Sequence, residues 1–179
     1  MKAAGATVLS VVTDVAKERD IQALAQKTDC HIVNTASRAG LESGPGTGVY
    51  RVSKHALVSL TETLYHELKM VRARIGVSVL CPGSVRTQIC DADRNRPSEF
   101  SKPGDIMPPS PQESKIIEFI RAGVEQGISP EEVAELTFSA IANNQFYIMP
   151  DPDYKQAVQQ RMDDILNQQN PTFVIPDSL

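Results

Sequence analysis

The chain has 179 residues, a formal net charge of −4 and 41% hydrophobic residues, which is ordinary for one globular domain. Its basic residues are scattered, and the densest group (Lys69, Arg72 and Arg74) ends a predicted helix, where cations suit the helix dipole. This pattern argues against a nucleic-acid-binding protein. No apolar run reaches the ~20 residues of a membrane span. The odd number of cysteines fits a reducing compartment, so we expect a cytoplasmic protein.

The first half of the chain alternates strand and helix patterns. Residues 6–12 form a β-rich run that is typical of a strand buried on both faces. Asp14 follows this run and can cap a helix over 15–28. A second buried strand is predicted over 31–36, and a long helix is predicted over 49–68. Apolar residues recur at spacings of three and four in and just beyond this helix, and we expect these to be buried: Leu57, Leu60, Leu64, Leu68 and Val71.

The second half continues the alternation. A strand over 75–80 runs into a Pro-Gly turn, and the proline-rich residues 91–112 predict a loop. The remaining predicted elements are a helix over 114–127 closed by Gly127, a helix over 131–143 begun by Ser129 and Pro130, a strand over 145–150 and a helix over 153–169. The alternation predicts an α/β fold, a three-layer parallel sheet with helices on both faces. Ligands bind such sheets at the carboxyl ends of the strands.

One hydroxyl and amine pattern falls at that edge of the predicted sheet. Tyr50 and Lys54 lie four residues apart in the predicted helix, so they share one helix face with Cβ atoms ~5–6 Å apart. Ser37 follows the preceding strand, thirteen residues before the tyrosine. A free tyrosine keeps its proton up to pH ~10, but a cation ~4 Å away stabilises a phenolate by about 4 kcal/mol at an effective dielectric near 20. Such a tyrosine can exchange a proton with an alcohol or carbonyl, and a serine hydroxyl can bond the same oxygen.

Three segments resemble the short-chain dehydrogenase/reductase family: HIVNTAS, VYRVSKHALVSLTETLYHEL and VSVLCPGSVRT. The matching residues occur in the family's order and spacing, and they are Ser37, Tyr50, Lys54 and the segment Pro82, Gly83, Ser84, Val85, Arg86 and Thr87. The resemblance implies a Rossmann-like domain over 1–150, with a substrate lid over 88–127. A C-terminal helix and tail over 151–179 would follow it.

The resemblance also implies roles for individual residues. Tyr50 would be the general acid/base, Ser37 would position the substrate oxygen, and Lys54 would bind the nicotinamide ribose and support Tyr50. The other implied cofactor contacts are Pro82 and Gly83 beside the nicotinamide, the backbone of Val85 at the carboxamide, Thr87 at the carboxamide or pyrophosphate, and Asp14 near the adenine. The alternatives are a helix cap for Asp14, a loop hydroxyl for Thr87 and a strand-end hydroxyl bonded to backbone for Ser37.

The implied cofactor is NAD or NADP, and the implied substrate is a small-molecule alcohol or ketone. Apolar residues in the lid region favour a hydrophobic substrate, although packing of the lid onto the core explains them equally well. A homo-oligomer is also implied, although part of the family's usual helix bundle has no counterpart in this chain.

Two other parts of the family pattern have no counterpart in the sequence. The glycine-rich phosphate turn is missing, and with it the residue that selects NAD or NADP. Around residues 27–30 a strand and a long helix are missing, including an asparagine that is the family's fourth catalytic residue; Asn34 lies on a different element. We therefore expect a truncated domain. Two functions stay open: an oxidoreductase that uses Tyr50, or a truncated non-catalytic relative with weak cofactor binding, because backbone amides at a helix N-terminus normally hold the pyrophosphate.

Other motifs favour no different chemistry. Gly44, Gly46 and Gly48 do not follow a strand directly, so we interpret them as flexible backbone rather than a phosphate loop. The three histidines and the three cysteines lack metal-ligand spacing, so we expect no metal site. A serine with a histidine could suggest a hydrolase, but no Gly-x-Ser-x-Gly sequence occurs.

Overall fold

The computed structural model describes residues 30–97, 99 and 110–173. The predicted strand over 6–12, the predicted helix over 15–28 and Asp14 lie outside these residues. The described strands form one parallel sheet in the order β1-β2-β3, with β1 at Cys30–Thr35, β2 at Ile75–Leu80 and β3 at Tyr147–Ile148. The described helices are α1 at Gly48–Met70, α2 at Pro111–Gln126, α3 at Pro130–Ala142 and α4 at Tyr154–Leu166, with 3₁₀ segments at Arg38–Gly40 and Ile89–Asn95. None of these helices is both long and apolar enough to cross a membrane.

The central strand β2 contributes to two hydrophobic cores. Val79 and Cys81 pack in one cluster with Val58 of α1. Leu80 packs in a second cluster with Ala140 of α3. Successive side chains of a strand point to opposite faces of the sheet, so α1 and α3 cover opposite faces. This arrangement confirms the predicted three-layer α/β fold.

The carboxyl ends of β1 and β2 finish level with each other. The parallel register runs from Cys30 opposite Ile75 to Thr35 opposite Leu80. Backbone pairing continues past the strands, because the Ala36 amide donates to the Leu80 carbonyl over 2.8 Å and the Arg38 amide donates to the Pro82 carbonyl over 2.9 Å. Ser37 and Pro82 therefore lie side by side at the edge where ligands are expected to bind.

Polar contacts supplement the pairing of β3, which covers only part of the predicted strand over 145–150. The Val79 amide donates to the Phe146 carbonyl over 2.8 Å, just outside β3. The buried Ser78 hydroxyl donates to the Gln145 carbonyl over 2.6 Å, and its oxygen lies 2.7 Å from Nε2 of His31. Because the serine proton is used on the carbonyl, His31 donates through Nε2–H. Burial lowers the pKa of His31, which favours this neutral form.

The prediction of a loop over 91–112 was wrong at both ends. The segment Ile89–Asn95 forms irregular 3₁₀ structure, and α2 begins at Pro111. Ser110 explains the early start, since its side chain accepts from the Glu113 amide while the Glu113 carboxylate accepts from the Ser110 amide. This reciprocal capping box satisfies two amides that the helix leaves unpaired. The cap that Ser129 was predicted to provide for the next helix is confirmed.

Two of the expected buried positions of the long helix were wrong. Leu60 is 62% exposed, and Val71, which follows the last residue of α1, is 72% exposed. The buried side of α1 is centred instead on Val58 and Thr61. Thr61 is buried as a polar residue because its hydroxyl donates to the Leu57 carbonyl over 2.6 Å and accepts from Asn34 over 3.1 Å. A pattern of apolar residues alone does not reveal such a contact.

Candidate active site

Ser37 lies directly beyond β1 in an extended backbone conformation. Its hydroxyl oxygen accepts from the Ala39 amide over 3.1 Å, which caps the short 3₁₀ turn. The hydroxyl proton points to the Pro82 carbonyl over 3.5 Å, longer than the ~2.5–3.0 Å of a strong O–H···O bond. The structure therefore shows the backbone bonding foreseen as the alternative for Ser37, and it leaves the hydroxyl proton only weakly engaged.

Tyr50 and Lys54 lie on the first turns of α1, and the Lys54 side chain reaches the end of β1. The Lys54 ammonium donates to the Thr35 carbonyl over 3.1 Å and lies 5.6 Å from the centre of the Tyr50 ring. This distance is within the range of a cation–π interaction. Tyr50 is 40% exposed, and its hydroxyl has no hydrogen-bond partner among the described residues. The phenol is thus accessible beside a fixed positive charge.

Gly40 allows α1 to approach the turn that follows Ser37. A Cβ at Gly40 would lie 2.7 Å from the Lys54 carbonyl oxygen and 3.0 Å from a Val58 methyl carbon. Both contacts are closer than ordinary van der Waals distances, so only glycine fits here without displacing the helix. The sequence reasoning did not find this residue, and the only signal was a glycine three residues after the candidate serine.

The Pro82-Gly83 turn lies beside Ser37 and under an acidic side chain. The Pro82 carbonyl accepts from the Arg38 amide, as described above. A Cβ at Gly83 would overlap the carboxylate of Asp151, which follows β3. The same carboxylate accepts from the Arg38 guanidinium over 2.6 Å. Arg38 and Asp151 were both missed from the sequence, because they are 113 positions apart and follow no short motif.

Val85 lies opposite Ile128, but its own amide and carbonyl point away from that residue. It forms an isolated parallel bridge with Ile128, in which the Ile128 amide donates to the Ser84 carbonyl over 3.2 Å and its carbonyl accepts from the Arg86 amide over 2.9 Å. The amide and carbonyl of Val85 itself take no part in this bridge. Thr87 is exposed two residues further along the chain, and no described residue bonds its hydroxyl. Both residues have polar groups left for a ligand.

The structure thus brings Ser37, Tyr50, Lys54 and Pro82 to one edge of the sheet, with Gly83 following in the same turn. The predicted cofactor contacts of Val85 and Thr87 lie further along that loop, and Asp14 lies outside the described residues. No cluster of metal-ligating side chains occurs within the part of the chain that the structure describes.

The glycines at 44 and 46 serve packing in the described structure. A Cβ at Gly44 would lie 2.7 Å from the ring of Phe173, in the C-terminal tail. Gly46 has a φ of +84° and lies against Ile116 of α2. The loop before α1 therefore lies between the tail and α2.

The fold and the site together define an α/β protein with a tyrosine, a lysine and a serine grouped at the carboxyl edge of a parallel sheet. The sequence model of the short chain dehydrogenase family matches residues 8–97, half of the chain. The chain therefore belongs to the short-chain dehydrogenase family.

Individual relatives agree with this assignment. The chain is 32% identical to a CLA biosynthesis dehydrogenase/reductase of Lactiplantibacillus plantarum over 87% of this chain and 54% of that protein. It is 28% identical to the 1-deoxy-11-beta-hydroxypentalenate dehydrogenase of Streptomyces exfoliatus over 75% of this chain and 40% of that protein. A short-chain dehydrogenase/reductase of Burkholderia phymatum, solved in complex with NAD, is 44% identical and superposes with a TM-score of 0.75 over 81% of this chain and 51% of that chain. The chain spans about half the length of the relatives it matches.

Proposed function

We propose that this protein is an NAD(P)-dependent oxidoreductase that moves a hydride between the nicotinamide and a small-molecule alcohol or ketone. The observation that carries the proposal is the placement of Lys54, whose ammonium is fixed on the Thr35 carbonyl at 5.6 Å from the Tyr50 ring. Lys54 thereby places a positive charge beside an accessible phenol, whose hydroxyl can exchange a proton with a substrate oxygen. Ser37 at the end of the same strand supplies a second hydroxyl for the substrate oxygen.

The three side chains divide the proton chemistry between them. Ser37 donates to the substrate oxygen, which costs little because its present bond to the Pro82 carbonyl is long at 3.5 Å. Tyr50 accepts the alcohol proton during oxidation and returns it to the carbonyl oxygen during reduction. Lys54 holds its charge beside Tyr50 while the Thr35 carbonyl occupies one of its three N–H donors. The remaining donors are available to a ribose hydroxyl.

The described residues fit the nicotinamide end of a dinucleotide. Val85 offers an amide and a carbonyl that pair with no other described residue, and these match the acceptor and donor of a carboxamide. Thr87 offers an exposed hydroxyl, and Pro82 and Gly83 form a turn beside Ser37. A bound nicotinamide supplies or accepts the hydride. Asp14 is proposed for the adenine end, and the choice between NAD and NADP stays open.

A hydrophobic substrate is proposed from the lid region over 88–127. The side chains of Ile117, Phe119 and Ile120 on α2 are between 38% and 49% exposed, so this helix presents apolar surface. One relative, 39% identical over 36% of this chain, is named a farnesol dehydrogenase. We also propose a homo-oligomer, which the strongly exposed Val49 and Val52 of α1 support as apolar surface free for contact.

Cofactor titration separates the enzyme from the non-catalytic alternative. NADH and NADPH fluorescence is followed as the full chain is added. Saturable quenching at micromolar concentration supports the oxidoreductase. The absence of binding to either nucleotide at millimolar concentration favours a non-catalytic relative with impaired cofactor binding.

The role of Tyr50 is tested with a substitution that removes only its hydroxyl. Tyr50→Phe is expected to lower turnover of a hydrophobic secondary alcohol by about 10²-fold or more, since general acid–base catalysis contributes ~10²–10⁴-fold. Tyr65→Phe is the matched control, because Tyr65 lies on the same helix about 22 Å further along at ~1.5 Å per residue. Full activity of Tyr50→Phe would remove the tyrosine from the mechanism.

A further inference from the structure

Four charged side chains form a continuous series of ion pairs next to the candidate active site. Arg38 lies at its centre, with its Nη1 2.6 Å from Oδ2 of Asp151 and its Nε 3.3 Å from Oε1 of Glu42. Nη1 of Arg51 lies 3.7 Å from the same Glu42 oxygen and donates to the Glu42 carbonyl over 2.9 Å. We call the residues Asp151, Arg38, Glu42 and Arg51 the Arg38 network.

Two members of the Arg38 network are chain neighbours of proposed catalytic residues. Arg38 directly follows Ser37, and Arg51 directly follows Tyr50. The Arg38 guanidinium bonds one carboxylate on each side, which its planar, fork-shaped donor set permits. The network therefore connects the loop that carries Ser37 to the helix turn that carries Tyr50.

Asp151 connects the Arg38 network to the proposed cofactor turn at Pro82 and Gly83. The Asp151 carboxylate lies so close to Gly83 that a side chain would fit there only if the carboxylate moved away. Its Oδ1 accepts from the Asp153 amide over 2.9 Å just before α4, while its Oδ2 pairs with Arg38. Asp151 is thus fixed from two sides, and the Gly83 backbone lies under it.

The network is sheltered enough to hold a geometry. The exposed fractions of its side chains are 26% for Arg38, 18% for Asp151, 17% for Arg51 and 13% for Glu42. Solvent-exposed ion pairs contribute little because water and salt screen them, whereas partly buried and connected pairs are screened less. Arg38 also joins the two loops through its backbone amide on the Pro82 carbonyl.

We propose that Arg38 is a positioning residue that sets the distance between Ser37, Tyr50 and the Pro82-Gly83 turn through its bonds to Glu42 and Asp151. This inference rests on the proposed function for its catalytic consequence. The geometric part, that Arg38 and Asp151 hold the Gly83 turn, is independent of any activity.

The experiment compares Arg38→Gln, Asp151→Asn and the double variant in the full chain. The first readout is the set of backbone amide resonances, which needs no cofactor. Arg38→Gln and Asp151→Asn are both expected to shift the amide of Gly83 and the amides next to Ser37. Arg72→Gln is the matched control, since it removes an arginine just beyond the opposite end of α1. An unmoved Gly83 amide in both single variants would overturn the proposal.

The second readout is the split between kcat and KM. Arg38→Gln is expected to lower kcat by about ten- to a hundredfold with little change in KM, because small misplacements of reacting groups cost up to ~10²-fold. The double variant is expected to fall no further than the worse single variant, since residues in one network are not additive. Arg38→Lys, which keeps the charge but loses the fork, is expected to recover part of the rate. If a loss of thermal stability fully accounts for the loss of kcat in Arg38→Gln, and Arg38→Lys recovers none of the rate, Arg38 contributes only to general stability and the positioning role is wrong.

These outcomes distinguish the two proposals. An inactive wild-type chain, or a fully active Tyr50→Phe variant, contradicts the proposed function. The amide shifts then still test whether Arg38 and Asp151 hold the Gly83 turn. An active wild-type chain whose Arg38→Gln variant keeps full kcat and an unshifted Gly83 amide removes the positioning role alone.

Discussion

Gly40 provides a sharp test of how α1 is positioned at the site. In Gly40→Ala, the new Cβ would lie 2.7 Å from the Lys54 carbonyl oxygen, whereas ordinary contacts begin at 3.4 Å. The helix must therefore recede by about 0.7 Å, because the two closest opposing atoms, the carbonyl oxygen and carbon of Lys54, belong to backbone and cannot rotate away. Overpacking of this kind typically costs about 1–3 kcal/mol. For a chain of this size, that corresponds to a fall in Tm of about 2–12 °C.

The control for this prediction is another glycine at the start of the same helix. Gly48 has nothing within 4 Å of its added Cβ. Gly48→Ala is therefore expected to leave Tm unchanged or to raise it, since alanine lowers the conformational entropy of the unfolded chain and so stabilises the folded one by about 0.4–1 kcal/mol. The assay is thermal unfolding of both variants and the wild type by circular dichroism.

The same displacement moves Lys54 relative to the end of β1. The bond from the Lys54 ammonium to the Thr35 carbonyl, 3.1 Å in the structure, would lengthen or break. We expect the turnover rate of Gly40→Ala to fall by more than the loss of folded protein at the assay temperature can explain. If Gly40→Ala unfolds at the same temperature as Gly48→Ala, the close approach of the turn and helix does not constrain α1, and the reasoning fails.

Three further outcomes follow from titrating and hydrogen-bonded groups. Burial raises the pKa of Cys81 to about 11, so iodoacetamide is expected to modify Cys90 well before Cys81. Mass spectrometry of the folded chain measures the two rates, and faster labelling of Cys81 would contradict its buried position. Burial lowers the pKa of His31 below 6.5, so as pH falls below about 6.5 the unfolded chain binds this proton more readily than the folded chain and the folded chain loses stability. The midpoint of urea unfolding is expected to fall in that pH range, and to fall less in His31→Gln. Tyr147→Phe removes a 2.5 Å hydrogen bond to the Glu62 carboxylate, and urea unfolding is expected to show that the free energy of unfolding falls by about 1 kcal/mol. An unchanged midpoint would show that this hydrogen bond contributes nothing to stability.

The placement of the candidate site residues could be predicted from the sequence because it depends on local spacing and chain order. Tyr50 and Lys54 share a helix face because they are four residues apart, and Ser37 reaches the same edge because it ends a parallel strand. The same local rules predicted the Ser129 cap. They missed the cap formed by Ser110, although its Ser-Pro-x-Glu sequence was a readable signal.

The missed parts depend on contacts between distant positions. Arg38 and Asp151 come together only because β1 and β3 flank the same central strand and end at the same edge. The exposure of Leu60 was missed for a related reason, since a polar contact to Asn34 makes Thr61 a buried residue of α1. No periodicity argument assigns a threonine to a hydrophobic core without knowledge of its partner.

Two separate contacts fix α1 against the sheet, and together they explain why its first turns can stay exposed. Near the site, Gly40 lies against the Lys54 backbone and sets how close the helix approaches. Further along, Asn34 donates to the fully buried Thr61 over 3.1 Å and fixes the rotation of the helix about its axis. A helix fixed in both distance and rotation needs no packing at Tyr50 itself. The phenol can therefore remain 40% exposed and open to a substrate while its position relative to β1 stays defined.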